Sequence, residues 1–175
     1  DTVEDRVKAV AFVATSAGDR SAECLGLPPG AAARARTIAT SIHPTGAVVG
    51  RFMQQARYTD LNFAITKRGS FGPGAPNSLN LFTVAMLNAT PVETVVAFLP
   101  TLLSHDLYDA LKVLDDVPVW IVCGEADVMT PVSHTKKLLE LLPNAEGTIL
   151  PETGHMIQLE RQDEVTEGIR RLAFG

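Results

Sequence analysis

The chain has 175 residues, 46% of them hydrophobic, a length that holds one sizeable core with an appended subdomain. Its 20 acidic residues outnumber 15 basic ones for a net charge of −5, and the scattered basic residues argue against nucleic acid as a partner. The longest apolar stretches, "VKAVAFVA" and "VVAFLPTLL", fall short of the ~20 residues of a membrane span. Two cysteines, Cys24 in the loop-like "SAECLGLPPG" and Cys123 inside an apolar run, make neither a disulfide framework nor a zinc site.

Residues 7–15, "VKAVAFVAT", are a continuous apolar and β-branched run closed by "SAG", the pattern of a strand buried on both faces. From Gly18 to about Ser104 the character changes. "LPPG", "FGPG" and "ATP" punctuate segments of helical spacing such as "AAARARTIATSI", "TGAVVGRFMQQARY" and "NSLNLFTVAMLN". This predicts a core strand in residues 1–17, an inserted helical lid over 18–104 and a C-terminal core over 105–175. Most of Phe52, Met53, Phe63, Phe71, Phe82, Met86 and Phe98 are expected to join lid to core.

In "HDLYDALKVLDD", Leu107, Ala110, Leu111 and Leu114 share one helical face, and "VPVWIVCG" follows as a second buried strand. Thr130 is placed to cap the next helix, with Pro131 in its first position, so "PVSHTKKLLELLP" reads as a helix stopping before Pro143. A short third strand, "GTILP", leads into "ETGHMIQLE". The final "RQDEVTEGIRRLAF" is a charged amphipathic helix with Val165, Ile169 and Leu172 facing inward. Strands alternating with helices of this length imply an α/β class with a parallel sheet.

Reactive groups of an open parallel sheet gather at the carboxyl ends of its strands. Asp127 lies three residues beyond Gly124 at the end of one strand, and His155 follows Gly154 just past the next. Adjacent strands would bring the two side chains together. A histidine beside an aspartate gains a fixed tautomer and a stabilised imidazolium, which makes it a general base. Of the other histidines, His105 and Asp106 are neighbours whose side chains point apart, with Asp106 suited to cap a helix. His134 is expected to face solvent, and His43 to lie in a loop of the lid.

The acid loop "GEADVMTP", the histidine loop "GHMIQLE" and their spacing across one helix and one short strand resemble the α/β-hydrolase family. The resemblance covers the whole chain: "DRVKAVAFVATSAG" is similar to the sixth strand of that fold, the helical insertion to its lid, and the rest to its last two strands and helices. It implies the C-terminal part of an α/β-hydrolase parallel sheet, three strands with flanking helices. Asp127 then matches the triad acid and His155 the base. Asp19 and Glu23 follow the sixth strand, where some members carry the acid; Asp19 is the alternative, though a cap or surface charge suits it better.

The family's nucleophile elbow, usually GxSxG, and its oxyanion loop precede the sixth strand, and neither motif is in this sequence. Ser16 and Ser104 stand at the wrong places. The resemblance thus implies part of a longer hydrolase, lacking about 100 N-terminal residues of a domain of roughly 200–250. The isolated chain is expected to be inactive. Three strands alone leave an apolar edge, to be covered by the missing N-terminal half or by a second copy. The apolar lid implies a small apolar substrate such as a carboxylic ester. No phosphate loop or metal cluster is written in the sequence, so no cofactor or metal is implied. Epoxide, haloalkane, carbon–carbon bond and perhydrolysis chemistry use the same frame, and a non-catalytic binding module would retain it; the nucleophile's identity separates them.

Overall fold

The computed structural model describes residues 6–18 and 59–175. The expected helices "AAARARTIATSI" and "TGAVVGRFMQQARY", with Asp19, Glu23, Cys24, His43, Phe52 and Met53, lie outside the described residues. Strand β1 spans Val10–Val13, β2 Val119–Gly124 and β3 Glu146–Leu150. They form one parallel sheet in the order β1-β2-β3, with Val10 paired to Val119 and Trp120 to Glu146 at the start of each ladder.

Among the described residues, β1 and β2 are separated by the helices α1 (Asp60–Ser70), α2 (Asn77–Ala89) and α3 (Val92–Ser104), and then a 3₁₀ helix over Tyr108–Leu114. Helix α4 (Val132–Leu141) connects β2 to β3, and the short α5 (Ile157–Glu160) and α6 (Gln162–Phe174) follow. Parallel neighbours need such crossovers, because a hairpin turn would reverse the strand.

All six residues of β2 are buried, and their alternation divides the core in two. Trp120 and Val122 point to one face, where Leu150, Ile157 and Val165 pack with Ala14. Val119 and Ile121 point to the other, against Leu111, Leu138, Leu142 and Ala17. Burial on both faces explains the unbroken apolar reading of "VPVWIVCG". The expected double burial of the first strand is only partial: all four residues of β1 keep some exposure, and its far edge pairs with no strand among the described residues.

The chain leaves the sheet and returns to it at one point. The Leu107 N–H donates to the Ala17 carbonyl at 2.7 Å, and the Tyr108 hydroxyl donates to the Gly18 carbonyl at 3.2 Å.

Several expected faces differ. The segment after Leu107 winds as a 3₁₀ helix, whose three-residue turn stacks i with i+3; Tyr108, Leu111 and Leu114 therefore pack inward while Leu107 and Ala110 are exposed. In α6, Val165 and Gly168 are buried against the sheet and Ile169 is 48% exposed, since one turn below Val165 the helix meets the Trp120 ring. In α2 the buried residues are the polar Asn80 and Thr83, with the Asn80 amide donating to the Phe63 carbonyl at 2.9 Å. Phe82, Met86 and Phe98 are at least half exposed and do not join the helices to the core, whereas Phe71 is buried.

Candidate active site

The ends of β2 and β3 are zipped together by backbone. Glu125 N–H donates to the Leu150 carbonyl and Ala126 N–H to the Thr153 carbonyl, each at 2.9 Å. Gly124 permits this approach, because a Cβ there would overlap the carbonyls of Thr153 and Gly154. The two loops are thereby held side by side before any side chain is considered.

Asp127 turns back over its own loop. Its Oδ1 accepts the backbone N–H groups of Met129 at 2.7 Å and Thr130 at 2.9 Å, the local carboxylate-to-backbone turn that short acidic side chains favour. Its Oδ2 accepts the Thr130 hydroxyl at 2.9 Å and faces His155 Nδ1 at 2.9 Å. The Asp127 side chain is fully buried while that of His155 is 26% exposed. Thr130, expected to cap α4, gives its hydroxyl to Asp127 instead, and Pro131 stands at the helix start with no side-chain cap.

His155 sits in a braced loop. Glu152 holds a φ of 54°, in the left-handed region, to turn the chain out of β3. The buried Thr153 hydroxyl donates to the Pro151 carbonyl at 2.9 Å and accepts from Arg161 Nε at 3.0 Å. Glu160 Oε1 accepts the Gly154 N–H at 2.9 Å, and the Ser70 carbonyl accepts the Met156 N–H at 2.9 Å.

A carboxylate only accepts, so the hydrogen between Asp127 and His155 belongs to Nδ1, and Nε2 keeps its lone pair. This arrangement can take a proton at Nε2 and hold the resulting imidazolium against a buried carboxylate. The structure thus brings together Asp127 and His155. Asp19 is outside the described residues, and neither Ser16 nor Ser104 bonds to His155: the Ser104 hydroxyl donates to the Thr101 carbonyl at 3.4 Å on α3.

His134 is not solvent-facing. It is 5% exposed, and its Nδ1 lies 2.8 Å from the Ser16 oxygen. The Ser16 hydroxyl donates to the Gly18 carbonyl at 2.6 Å, so it accepts from His134 Nδ1–H. A serine engaged in this way is not being deprotonated by that histidine, and the pair fastens α4 to the point where the chain leaves the sheet. The warning lay in spacing: His134 and Leu138 are four residues apart and share the inward face of α4.

Thr130 and Glu160 were missed as contributors to the site. Thr130 lies three residues after Asp127, within reach of a local turn, which was a usable signal; Glu160 contacts Gly72, 88 residues away, which no local pattern reveals. Among the described residues no group of three or more His, Cys, Asp or Glu is placed to hold a metal ion. Nor is any helix among them long and apolar enough to cross a membrane.

No family model matches the sequence. The dihydrolipoyllysine-residue acetyltransferase component of the acetoin cleaving system of Pseudomonas putida is 39% identical over 67 residues, 38% of this chain and 16% of that protein. Solved structures match over nearly the whole chain. The enol-lactonase from Burkholderia xenovorans superposes with a TM-score of 0.66 at 16% identity, over 99% of this chain and 58% of that one. The esterase from Exiguobacterium antarcticum gives 0.65 at 15%, over 94% and 56%. MenH from S. aureus gives 0.64 at 19%, over 94% and 58%. This chain therefore spans a little over half the length of these structures. Its parallel sheet, its flanking helices and these superpositions identify it as a protein of the α/β-hydrolase fold, corresponding to the C-terminal part of that fold.

Proposed function

We propose that this chain supplies the acid and base of a serine-type hydrolase of carboxylic esters or similar small apolar substrates. The observation that carries the reading is the 2.9 Å contact between His155 Nδ1 and the buried Asp127 carboxylate, which leaves Nε2 as the basic nitrogen. In the complete enzyme a serine from the N-terminal half attacks the substrate carbonyl. His155 Nε2 takes the serine proton and passes it to the leaving group, and Asp127 orients the ring and stabilises its charge. The N-terminal half would pair with the open edge of β1, and residues 18–104 would roof the site as a lid.

The choice of an acyl substrate is supported by the names of similar proteins, an esterase and an enol-lactonase among the structures and an acetyltransferase component among the sequences. The last favours a second reading, acyl transfer to an acceptor other than water. Labelling of the full-length protein with a fluorophosphonate, followed by peptide mapping, tests the proposal. One serine N-terminal to this chain should be modified, and His155→Ala should prevent it. No modified serine, together with no turnover of p-nitrophenyl acetate, would overturn the reading; product partitioning between water and an added thiol separates hydrolysis from transfer.

A further inference from the structure

Glu160 ends α5 and takes no part in the acid–base pair, yet its carboxylate holds two separate pieces of backbone. Oε1 accepts the N–H of Gly154, the residue before His155, and Oε2 accepts the N–H of Gly72, just past the end of α1, each at 2.9 Å. The Met156 N–H donates to the Ser70 carbonyl at 2.9 Å on the other side of His155. Between these bonds the two backbones touch. A Cβ on Gly154 would overlap Phe71 and the Gly72 nitrogen, and one on Gly72 would overlap the Glu152 carbonyl.

The chemistry of residue 160 suits this task narrowly. A carboxylate offers an acceptor on each prong, so one side chain can satisfy two N–H groups that face each other across the gap. An amide of the same size offers one acceptor and one donor. A glutamine would leave one N–H opposed by another N–H, and charge-assisted bonds to a carboxylate are about twice as strong as neutral ones. Residues 70–72 belong to the helical segment between β1 and β2, and 152–156 to the loop that carries His155.

Resting on the hydrolase reading above, we propose that Glu160 is a positioning residue that couples the seat of the helical segment to the aim of the His155 ring. With both amides bound, Gly154 is fixed on one side of His155 and Met156 on the other, and the imidazole meets Asp127. When residues 70–72 lift away, Glu160 loses one of its two partners, Met156 loses its acceptor, and the loop carrying His155 is released. Residues 70–72 and the His155 loop then move as one unit.

The test uses the full-length protein and Glu160→Gln, with Glu167→Gln on the exposed face of α6 as the control. Amide hydrogen exchange of peptides covering 70–73 and 152–156 should rise together by about tenfold in Glu160→Gln and stay unchanged in the control. The downfield proton resonance of His155 Nδ1–H should broaden or shift. The kcat for p-nitrophenyl acetate should fall by about tenfold with KM within about twofold, the pattern of lost aim rather than lost binding. Faster exchange in one segment alone, or in neither, with an unchanged His155 resonance, would overturn the coupling. If the wild-type protein turns over no ester, the hydrolase reading fails, while the exchange and resonance measurements still decide the role of Glu160.

Discussion

Thr130 donates its hydroxyl to Asp127 Oδ2, the same oxygen that faces His155 Nδ1, at 2.9 Å in both contacts. With Oδ1 fixed by two backbone N–H groups, the carboxylate cannot rotate without breaking several bonds at once. Replacing Thr130 by valine keeps the β-branched shape and deletes the donor. Bonds to charged groups contribute about 1.5–3 kcal/mol, so on the proposed function kcat of the full-length protein should fall roughly tenfold or more while the fold persists. Thr130→Ser should restore it, and a valine variant with wild-type kcat would show that the hydroxyl is idle.

Asp127→Asn tests the proposed role of Asp127 more severely. The asparagine oxygen can still accept from the Met129 and Thr130 amides, which leaves its NH₂ facing His155 Nδ1. That nitrogen must then accept, the hydrogen moves to Nε2, and the ring can no longer act as a base. Turnover should fall far more than ground-state binding, by up to ~10⁴-fold as in serine proteases. Unchanged turnover would sink the assignment of Asp127.

The isolated 175-residue chain should show no esterase activity, because an acid–base pair alone has no nucleophile to activate. Turnover of a p-nitrophenyl ester by pure chain, abolished by His155→Ala, would place a nucleophile within these residues. The intact mass of the purified material is the companion measurement: 18.7 kDa is the chain alone, and any co-purifying fragment would be a candidate for the N-terminal part proposed above.

Gly168 lies under the indole of Trp120, and a Cβ there would overlap the ring. The ring has little room to yield: it is 3% exposed, and its Nε1 donates to the Thr148 hydroxyl at 3.0 Å. Gly168→Ala should destabilise the fold by about 1–3 kcal/mol of overpacking, partly offset by the ~1 kcal/mol that alanine gains in a helix. Trp120 is the single tryptophan, so its fluorescence reports the displacement directly alongside a denaturant titration. A variant as stable as wild type with unchanged emission would contradict this packing.

Burial pushes the Cys123 thiol above its ordinary range, opposed by a hydrogen bond with Thr135 and reinforced by the nearby Asp127 charge. A pKa raised in the fold favours the protonated form there. The resulting stability is present below the unfolded value of ~8.5 and is lost as pH rises from there through the folded value. Denaturation midpoints should therefore drop on the alkaline side, less steeply in Cys123→Ala. Alkylation of Cys123, followed by peptide mapping, should be slow in the native protein and fast in denaturant; fast native labelling would refute the burial.

The meeting of Asp127 and His155 was legible because each follows a strand whose end the sequence marks: an apolar run closed by Gly124, and Gly154 just ahead of His155. Helix existence in the C-terminal half was legible for the same reason, from periodicity and from Pro131 and Pro143. What escaped were choices made between partners distant in sequence. Thr130 could cap α4 or bind Asp127, and the buried carboxylate won because leaving it a donor short costs more than an uncapped first turn. Ile169 and Gly168 are neighbours, and which of them faced inward was decided by the bulk of Trp120. The turn of "LYDALKVL" depended on whether a three- or four-residue repeat fitted the groove beside Val119 and Ile121. The polar inner face of α2 is invisible to any rule that sends apolar residues inward.

The hydrogen bond from Leu107 to Ala17 has a consequence for the order of folding. Strand β2 meets β3 across a connection of about twenty residues, but it meets β1 across more than a hundred. Closure entropy grows as (3/2)RT ln n, so the second pairing starts about 1.5 kcal/mol behind the first. The β2–α4–β3 unit, which carries both Asp127 and the loop of His155, should therefore form early and locally, with β1 arriving last. The chain leaves and returns at contacting residues, so a tether of a few residues could replace everything between them and reduce that closure penalty by about 1.5 kcal/mol. Asp127 and His155 would thus be brought together before the inserted segment is in place, and independently of its length.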